Sequence, residues 1–339
     1  MNKLLQIQKE LIPQGLELME KRYSILRQVS LSEPIGRRNL SSILNISERI
    51  IRSETEFLKE QGLIEVAGSG MTITTKGIYM LDELKDIIKE ISGLTILQDK
   101  IKNKLGIKKV LLVPGSYDNN KSILKDIARC ASEYFLEVLK DGDTVALTGG
   151  NTTLEFANSI KSDKKYNSTT VVPSRGSMGN DVEKQANNIV AIISKKLNSS
   201  YKLLHIPDQL GEDAIKMLSQ EPEIKSTLEY IQKTDILVFG VGRADEMASR
   251  RKLSEEVIKN MTSKDAVGEA FGYYFNKQGE VVHKINTVGI DLDTFKNTKN
   301  TIAIYGGSKK AEAIIAISKM NKNLVLVTDE HSGLKILEY

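Results

Sequence analysis

Four short segments of this 339-residue chain hold the residue types that bind anions. They are Gly149-Gly150-Asn151-Thr152-Thr153, Pro173-Ser174-Arg175-Gly176, Gly240-Val241-Gly242-Arg243-Ala244-Asp245 and Gly306-Gly307-Ser308-Lys309-Lys310. Glycine lets the backbone turn at positive φ and lets an anion approach its amides closely. Arginine can grip a phosphate through two parallel N–H groups, as expected of Arg175, whereas lysine supplies a point charge, as expected of Lys310. The first segment runs into an apolar-periodic stretch (Leu154, Phe156, Ala157, Ile160), so a helix N-terminus with free amides and a positive dipole end falls beside the glycine pair. It suits a phosphate cradle; an ordinary strand-to-helix turn with a threonine cap is the other reading. It is neither GxGxxG nor GxxxxGK[ST], so a dinucleotide or Mg-nucleotide site is not indicated.

Each segment follows a predicted strand. Short apolar runs at Lys109–Val113, Thr144–Leu147, Thr169–Val172, Tyr201–His205, Ile236–Phe239, Thr301–Ile304 and Leu324–Val327 alternate with helical patterns. Those helices are expected over Ser122–Leu139, Thr152–Ile160, Asp181–Lys196, Asp245–Asn260 and Lys309–Met320. Alternation of this kind predicts a mostly parallel sheet covered on both faces, with ligands outside the carboxyl ends of its strands. Four glycine or hydroxyl loops at one such edge, three of them with cations, point to a polyanionic, sugar-phosphate-like ligand. Arg250, on the helix after Asp245, could reach the same mouth, and Glu269 could accept sugar hydroxyls; surface or structural pairing is the competing role for both.

The N-terminal third has a different pattern. Helices are expected over Leu16–Leu31, Arg38–Leu44 and Glu48–Gln61, followed by two short strands around Gly68-Ser69-Gly70. Ser47 is placed to cap the third helix, with Ile46 as its staple, and Gly62 to end it. Three helices and a hairpin make a winged helix-turn-helix. With Ile51, Thr55 and Leu58 inward, Glu48, Arg49, Arg52, Ser53 and Glu56 share the outer face. Arginine can bridge guanine O6 and N7, serine can bond bases or phosphates, and Arg37 and Arg38 suit phosphate contacts. A helical interaction domain with a solvated charged face is the alternative. Residues 1–109 hold 18 Lys/Arg against 14 Asp/Glu and residues 110–339 hold 30 against 30, so the whole formal excess of +4 lies in this third. That balance fits an anionic partner there. From Gly77 to Leu105 apolar residues recur in a 3-4 rhythm broken at Ser92-Gly93, which predicts a bend or two helices and a surface for a partner helix, or a helix packed on its own domain.

Other chemistry is weakly supported. His205, His283 and His331 have no metal spacing, and Asp291-x-Asp293 suits a turn better than an acid–base pair. Cys130 stands alone on a helical pattern and is expected in the core, in keeping with a reducing cytoplasm. No run of about 18 apolar residues marks a membrane span, and the N-terminus lacks the pattern of a secretion signal.

The stretches SERIIRSETEFLKEQGLI, LTGGNTT, VVPSRG, DVEKQANNI, VGRADEM, GEAFGYYFN, GIDLD and YGGSKKAEAI together resemble the SorC/DeoR-type sugar-responsive transcription regulators over nearly the whole length, in particular those that repress glycolytic operons. The resemblance implies an α/β protein: a winged helix-turn-helix DNA-binding domain (1–75), a helical linker or oligomerisation segment (76–109) and a larger Rossmann-like effector domain (110–339) related to sugar-phosphate isomerases and deaminases. It implies fructose 1,6-bisphosphate as inducer, no cofactor, and dimers or tetramers on operator DNA. On its pattern Gly149, Gly150, Thr152, Thr153, Arg175, Gln185, Arg250, Glu269 and Lys310 would line the effector site. The family's arginine loop is PARGG; here it is PSRGS, with Ser174 and Ser177, which keeps Arg175 in place and alters its surroundings. The expected function is a cytoplasmic, non-enzymatic repressor released by a sugar phosphate. The competing function is a sugar-phosphate isomerase or deaminase with an accessory N-terminal domain, because fold does not fix function.

Overall fold

The computed structural model describes residues 7–8, 10–177 and 181–339. The chain divides into two compact units: Met1–Leu97 with Asn119–Ser122, and Gln98–Asp118 with Ile123–Tyr339. The boundary falls inside the segment expected as a linker.

The first unit is built from α1 (Pro13–Ser32), α2 (Arg37–Leu44), α3 (Glu48–Glu60), the hairpin β1 (Ile64–Ala67) and β2 (Gly70–Ile73), and α4 (Thr75–Ile91). Pro13 sits in the first turn of α1, where its missing N–H costs nothing. Asn45 ends α2 in the left-handed region, and the Ser47 hydroxyl accepts from the Ile50 amide to open α3. The turn between α2 and α3 is therefore two capping events back to back. Ile51, Thr55 and Leu58 turn inward as the spacing predicts, against Leu26, Val29, Leu40, Ile64 and Met71. Ile35, between α1 and α2, exchanges two backbone hydrogen bonds with Met71 (3.0 and 2.8 Å) and adds a third strand position to the wing. Ser92-Gly93 does split the following helical segment: α4 ends at Ile91 and α5 runs from Leu94 to Leu105, with Gly93 at φ +74.

The second unit has β3 (Lys109–Val113), β4 (Thr144–Leu147), β5 (Thr170–Pro173), β6 (Ser200–Tyr201), β7 (Ile236–Gly240), β8 (Gly242–Arg243), β9 (Ala266–Ala270), β10 (Tyr273–Asn276), β11 (Val281–Lys284), β12 (Asn300–Ile304) and β13 (Leu324–Asp329). Seven of them form one parallel sheet in the order β3-β13-β12-β7-β4-β5-β6. Its central strands are buried throughout, as strands covered on both faces must be. The strand expected over Tyr201–His205 is reduced to Ser200–Tyr201: it lies at the sheet edge with one neighbour, and Tyr201 is exposed. Two expected helices are interrupted. Asp181–Lys196 becomes a 3-10 turn, Val182–Lys184, then a helix Ala186–Leu197. Asp245–Asn260 becomes Ala244–Arg250 and Glu255–Ser263, because Lys252 takes positive φ and Ser254 caps a new helix start. A second, antiparallel sheet has the order β11-β10-β9-β8.

Candidate functional site

All strands of the large sheet run one way, so their carboxyl ends share an edge, and β12, β7, β4 and β5 are consecutive neighbours. The four anion-type segments follow those four strands. Adjacent loops are tied together: the Thr148 amide donates to the Val238 carbonyl (3.1 Å), the Gly240 amide to the Thr148 hydroxyl (3.2 Å) and the Ser174 amide to the Leu147 carbonyl (2.7 Å).

The glycine pair after β4 opens the helix Asn151–Ser159. Gly150 has φ +124, outside the range of other residues, and the Gly150 amide donates to the Lys184 carbonyl at 2.8 Å. A side chain at Gly149 would place its Cβ 2.6 Å from that same carbonyl oxygen. The Gly149–Gly150 turn is thus packed on the segment that carries Gln185, which closes the 3-10 turn and leads into Ala186–Leu197. The buried Thr153 hydroxyl donates to the Gly150 carbonyl (3.0 Å), so it braces the turn. Thr152 is half-buried, and its hydroxyl bonds to no described residue. The first-turn amides of Asn151, Thr152 and Thr153 likewise meet no acceptor among the described residues, and no side chain caps this helix. This is the amide-rich helix start that an anion completes.

The loop after β12 offers a cation rather than amides. The Gly307 amide donates to the Asp329 carboxylate (3.2 Å) and the Ser308 amide to the Asp118 carboxylate (2.9 Å). Lys310 is half-buried and Arg250 exposed, and neither forms an ion pair among the described residues. Burial and the nearby positive charge of Arg250 push the Lys310 ammonium below its ordinary range, with Glu246 opposing them. In the loop after β7, Arg243 pairs with Asp245, so its charge is already matched within the loop.

Arg175 is held between two backbone segments. The Ile290 amide donates to the Ser174 carbonyl (2.7 Å), the Gly176 amide to the Val288 carbonyl (3.1 Å) and the Ser177 amide to the Ile206 carbonyl (2.9 Å). Only glycine fits at 289, where a Cβ would lie 2.3 Å from the Ser174 carbonyl oxygen. The Arg175 guanidinium is not free, as the two-pronged phosphate grip would require. Its Nε donates to Asp208 Oδ1 (2.6 Å) and its Nη1 to Glu269 Oε1 (3.3 Å). Glu269, expected to accept sugar hydroxyls, is 4% exposed and takes further donors from Arg251 Nη1 (3.0 Å) and the Gly272 amide (2.7 Å). Structural pairing is therefore what Glu269 does here. Its burial opposes ionisation, and the two guanidinium groups outweigh that and hold its carboxyl below the usual range. Asp208 and Arg251 escaped the sequence reading. Arg251 had a signal: with Ala244, Met247 and Ala248 it completes an i, i+3, i+4, i+7 stripe that is buried, while Arg250 next to it faces out.

In the first unit, Arg38, Ser47, Arg49, Arg52 and Ser53 are exposed on α2, α3 and the turn between them, and Arg37 is half-exposed. Ser47 acts as the cap of α3. Arg52 pairs with Glu56 one turn on (3.1 Å), Arg37 approaches the same carboxylate (3.9 Å) and Arg38 approaches Glu48 (3.9 Å). Arg49 has no such partner among the described residues. Among those residues no group of three or more His, Cys, Asp or Glu side chains is placed to hold a metal ion, and no helix is long and apolar enough to cross a membrane. Asp291 caps the helix Leu292–Asn297 through the Thr294 amide (2.7 Å).

The family model described as "Putative sugar-binding domain" matches residues 89–338, and the one described as "CggR N-terminal DNA binding domain" matches residues 18–88. The chain is 43% identical to the central glycolytic genes regulator of Bacillus subtilis over 99% of both chains, and 42% identical to that of Priestia megaterium over the same shares. Among solved structures, one from Enterococcus faecalis described as a SorC family regulator superposes with a TM-score of 0.66 at 34% identity, over 71% of this chain and 99% of that one. The full-length sorbitol operon regulator SorC of Klebsiella pneumoniae shares the fold, with a TM-score of 0.68 at 16% identity over 89% and 94%.

Proposed function

This chain belongs to the central glycolytic genes regulators, a group of SorC-type sugar-binding transcription regulators, and we propose that its effector is a sugar bisphosphate, with fructose 1,6-bisphosphate the best fit. The observation that carries this reading is the charge arrangement at one sheet edge. One anion subsite is the uncapped start of the helix Asn151–Ser159, with the Thr152 hydroxyl. The Lys310 and Arg250 cations repel one another and lack ion-pair partners among the described residues. The Arg175 loop follows the neighbouring strand β5. A doubly phosphorylated sugar supplies two anions to such a site, whereas a monophosphate leaves part of the cation set unmatched.

The protein works as an operator-binding repressor, as a homodimer or homotetramer without a cofactor, and effector binding weakens its hold on DNA. The exposed face of α3 reads bases through Arg49 and Arg52, while Arg37 and Arg38 contact phosphates. Coupling between the two sites of about 1–3 kcal/mol is sufficient for release. An isomerase reading is less well supported, because the two buried acids beside the Arg175 loop are each already paired with two arginines. Gel shift of glycolytic operator DNA with and without fructose 1,6-bisphosphate tests the proposal. Loss of the complex with the bisphosphate, but not with fructose 6-phosphate at equal concentration, is expected; complexes unchanged at saturating bisphosphate would reject it. A coupled assay on aldose and ketose phosphates, expected blank, tests the enzymatic alternative.

A further inference from the structure

Two arginines and two carboxylates alternate in one buried cluster beside the Arg175 loop. Arg251 Nη1 lies 3.0 Å from Glu269 Oε1 and its Nη2 3.3 Å from Asp208 Oδ2. Arg175 touches the same two acids, at 2.5 Å to Asp208 and 3.3 Å to Glu269. Side-chain exposure is 1% for Arg251, 4% for each acid and 11% for Arg175, so Arg175 is the member with an opening to solvent. The groups facing Arg251 are Asp208 from the segment after Ile206-Pro207, Glu269 from β9, the Tyr274 hydroxyl from β10 (3.3 Å) and, across the acids, Arg175. Tyr274 is neutral, since burial pushes its hydroxyl above the ordinary range against the pull of Arg251.

This arrangement creates a difficulty for any role of Arg175 in phosphate binding. A guanidinium that leaves two buried carboxylates takes away one of their counterions, which is costly in the interior. We propose that Arg251 is the resident counterion that lowers this cost: it holds Asp208 and Glu269 together when Arg175 turns from them to an effector phosphate. Arg251 is a positioning residue that does not itself touch the ligand. The inference rests on the sugar-phosphate reading of this site. Before binding, two cations face two anions. After binding, Arg251 still faces the two acids and Arg175 faces the phosphate, so one net negative charge is left in the interior rather than two.

The test is calorimetric titration of the full chain with fructose 1,6-bisphosphate. Arg251→Gln leaves Arg175 as the sole counterion of both acids, so binding weakens by roughly tenfold or more. Adding Asp208→Asn to Arg251→Gln removes one charge of each sign, releases Arg175 from one acid and restores affinity to within about threefold of wild type. A merely structural role gives no rescue. Wild-type affinity in Arg251→Gln, or a double variant no better than the single one, overturns the proposal. Should Arg251→Gln alone not fold, the charge-balanced double variant carries the test: near-wild-type binding supports the exchange and lost binding overturns it. Failure of wild type itself to bind sinks the receptor reading and this inference with it, whereas wild-type binding without rescue sinks this inference alone.

Discussion

Gly150 donates its amide to the Lys184 carbonyl at 2.8 Å, and Gly149 lies so close to that carbonyl that a Cβ would sit 2.6 Å from it. The glycine pair therefore has two separate jobs. Gly149 makes room for the neighbouring segment, and Gly150 supplies a φ of +124. The amides left for an anion are those after the pair, at Asn151, Thr152 and Thr153.

The two glycines should respond differently to alanine. Gly149→Ala pushes the segment 182–186 outward, and with it Gln185. Its expected effect is on sugar-bisphosphate affinity, a loss on the order of tenfold, equal to about 1.4 kcal/mol. Gly150→Ala meets nothing closer than 3.8 Å but carries the strain of its backbone angle, about 1–3 kcal/mol. It should lower the unfolding midpoint as well as the affinity. Paired thermal melts and titrations check this, and equal melting losses in both variants would contradict it.

The threonines divide in the same way. Thr153 donates its hydroxyl to the Gly150 carbonyl from a buried position, so Thr153→Val should destabilise the free protein by about 1 kcal/mol. Thr152→Val removes a half-exposed hydroxyl with no partner among the described residues. Its stability should stay within about 0.5 kcal/mol of wild type while effector affinity drops. Denaturant unfolding beside calorimetry separates the two; a stability loss in Thr152→Val equal to that in Thr153→Val would show that both are structural.

Much of this was legible in the sequence, and the reasons are physical. Strand–loop–helix alternation fixes a parallel sheet, and a parallel sheet places every following loop at one edge, so β12, β7, β4 and β5 deliver four anion-type loops without any knowledge of packing. The inward face of α3 follows from helical period alone. What one loop does to another was not legible. Thr153 and Gly150 look like ligand residues until the hydrogen bonds that already use them are seen. Asp208 follows an edge segment with no periodicity, and Glu269 and Arg251 meet only because β9 and the end of Ala244–Arg250 fold together. The small sheet β8–β11 was mostly missed because Gly268, Gly272 and Gly279 interrupt its strand pattern.

On the DNA-facing side, Glu56 restrains Arg52 at 3.1 Å, and Arg37 approaches it at 3.9 Å. These pairs are exposed and weak, so DNA phosphates compete with them readily. Glu56→Ala should raise affinity for non-specific DNA, since it frees positive charge and removes a negative one. Arg49→Ala removes an arginine with no ion-pair partner among the described residues, and operator affinity should fall by about 1–3 kcal/mol if it reads a base. Arg38→Ala should instead weaken all sequences alike and lower the slope of log affinity against log salt by about one. Gel shifts over a salt series on operator and scrambled duplexes check all three. Arg49→Ala that weakens both duplexes equally would reassign it to phosphate contact.

Lys310 gives the site a pH signature. Burial and the Arg250 charge lower its ammonium below the ordinary range, with Glu246 opposing them. Between that lowered value and the ordinary value of the unfolded chain, the unfolded state binds more protons, so this group's contribution to stability rises with pH across that window. An effector phosphate reverses the local field and raises the pKa of Lys310 in the complex. In alkaline buffer, binding should therefore take up a proton, and affinity should fall as pH rises through the lowered value. Titrations in buffers of different ionisation enthalpy measure that uptake directly. Lys310→Met should abolish it and weaken binding, while raising the melting temperature of the free protein because a buried charge is removed. If Lys310→Met still takes up the proton, the titrating group lies elsewhere, and Lys310 is not the cation that meets the phosphate.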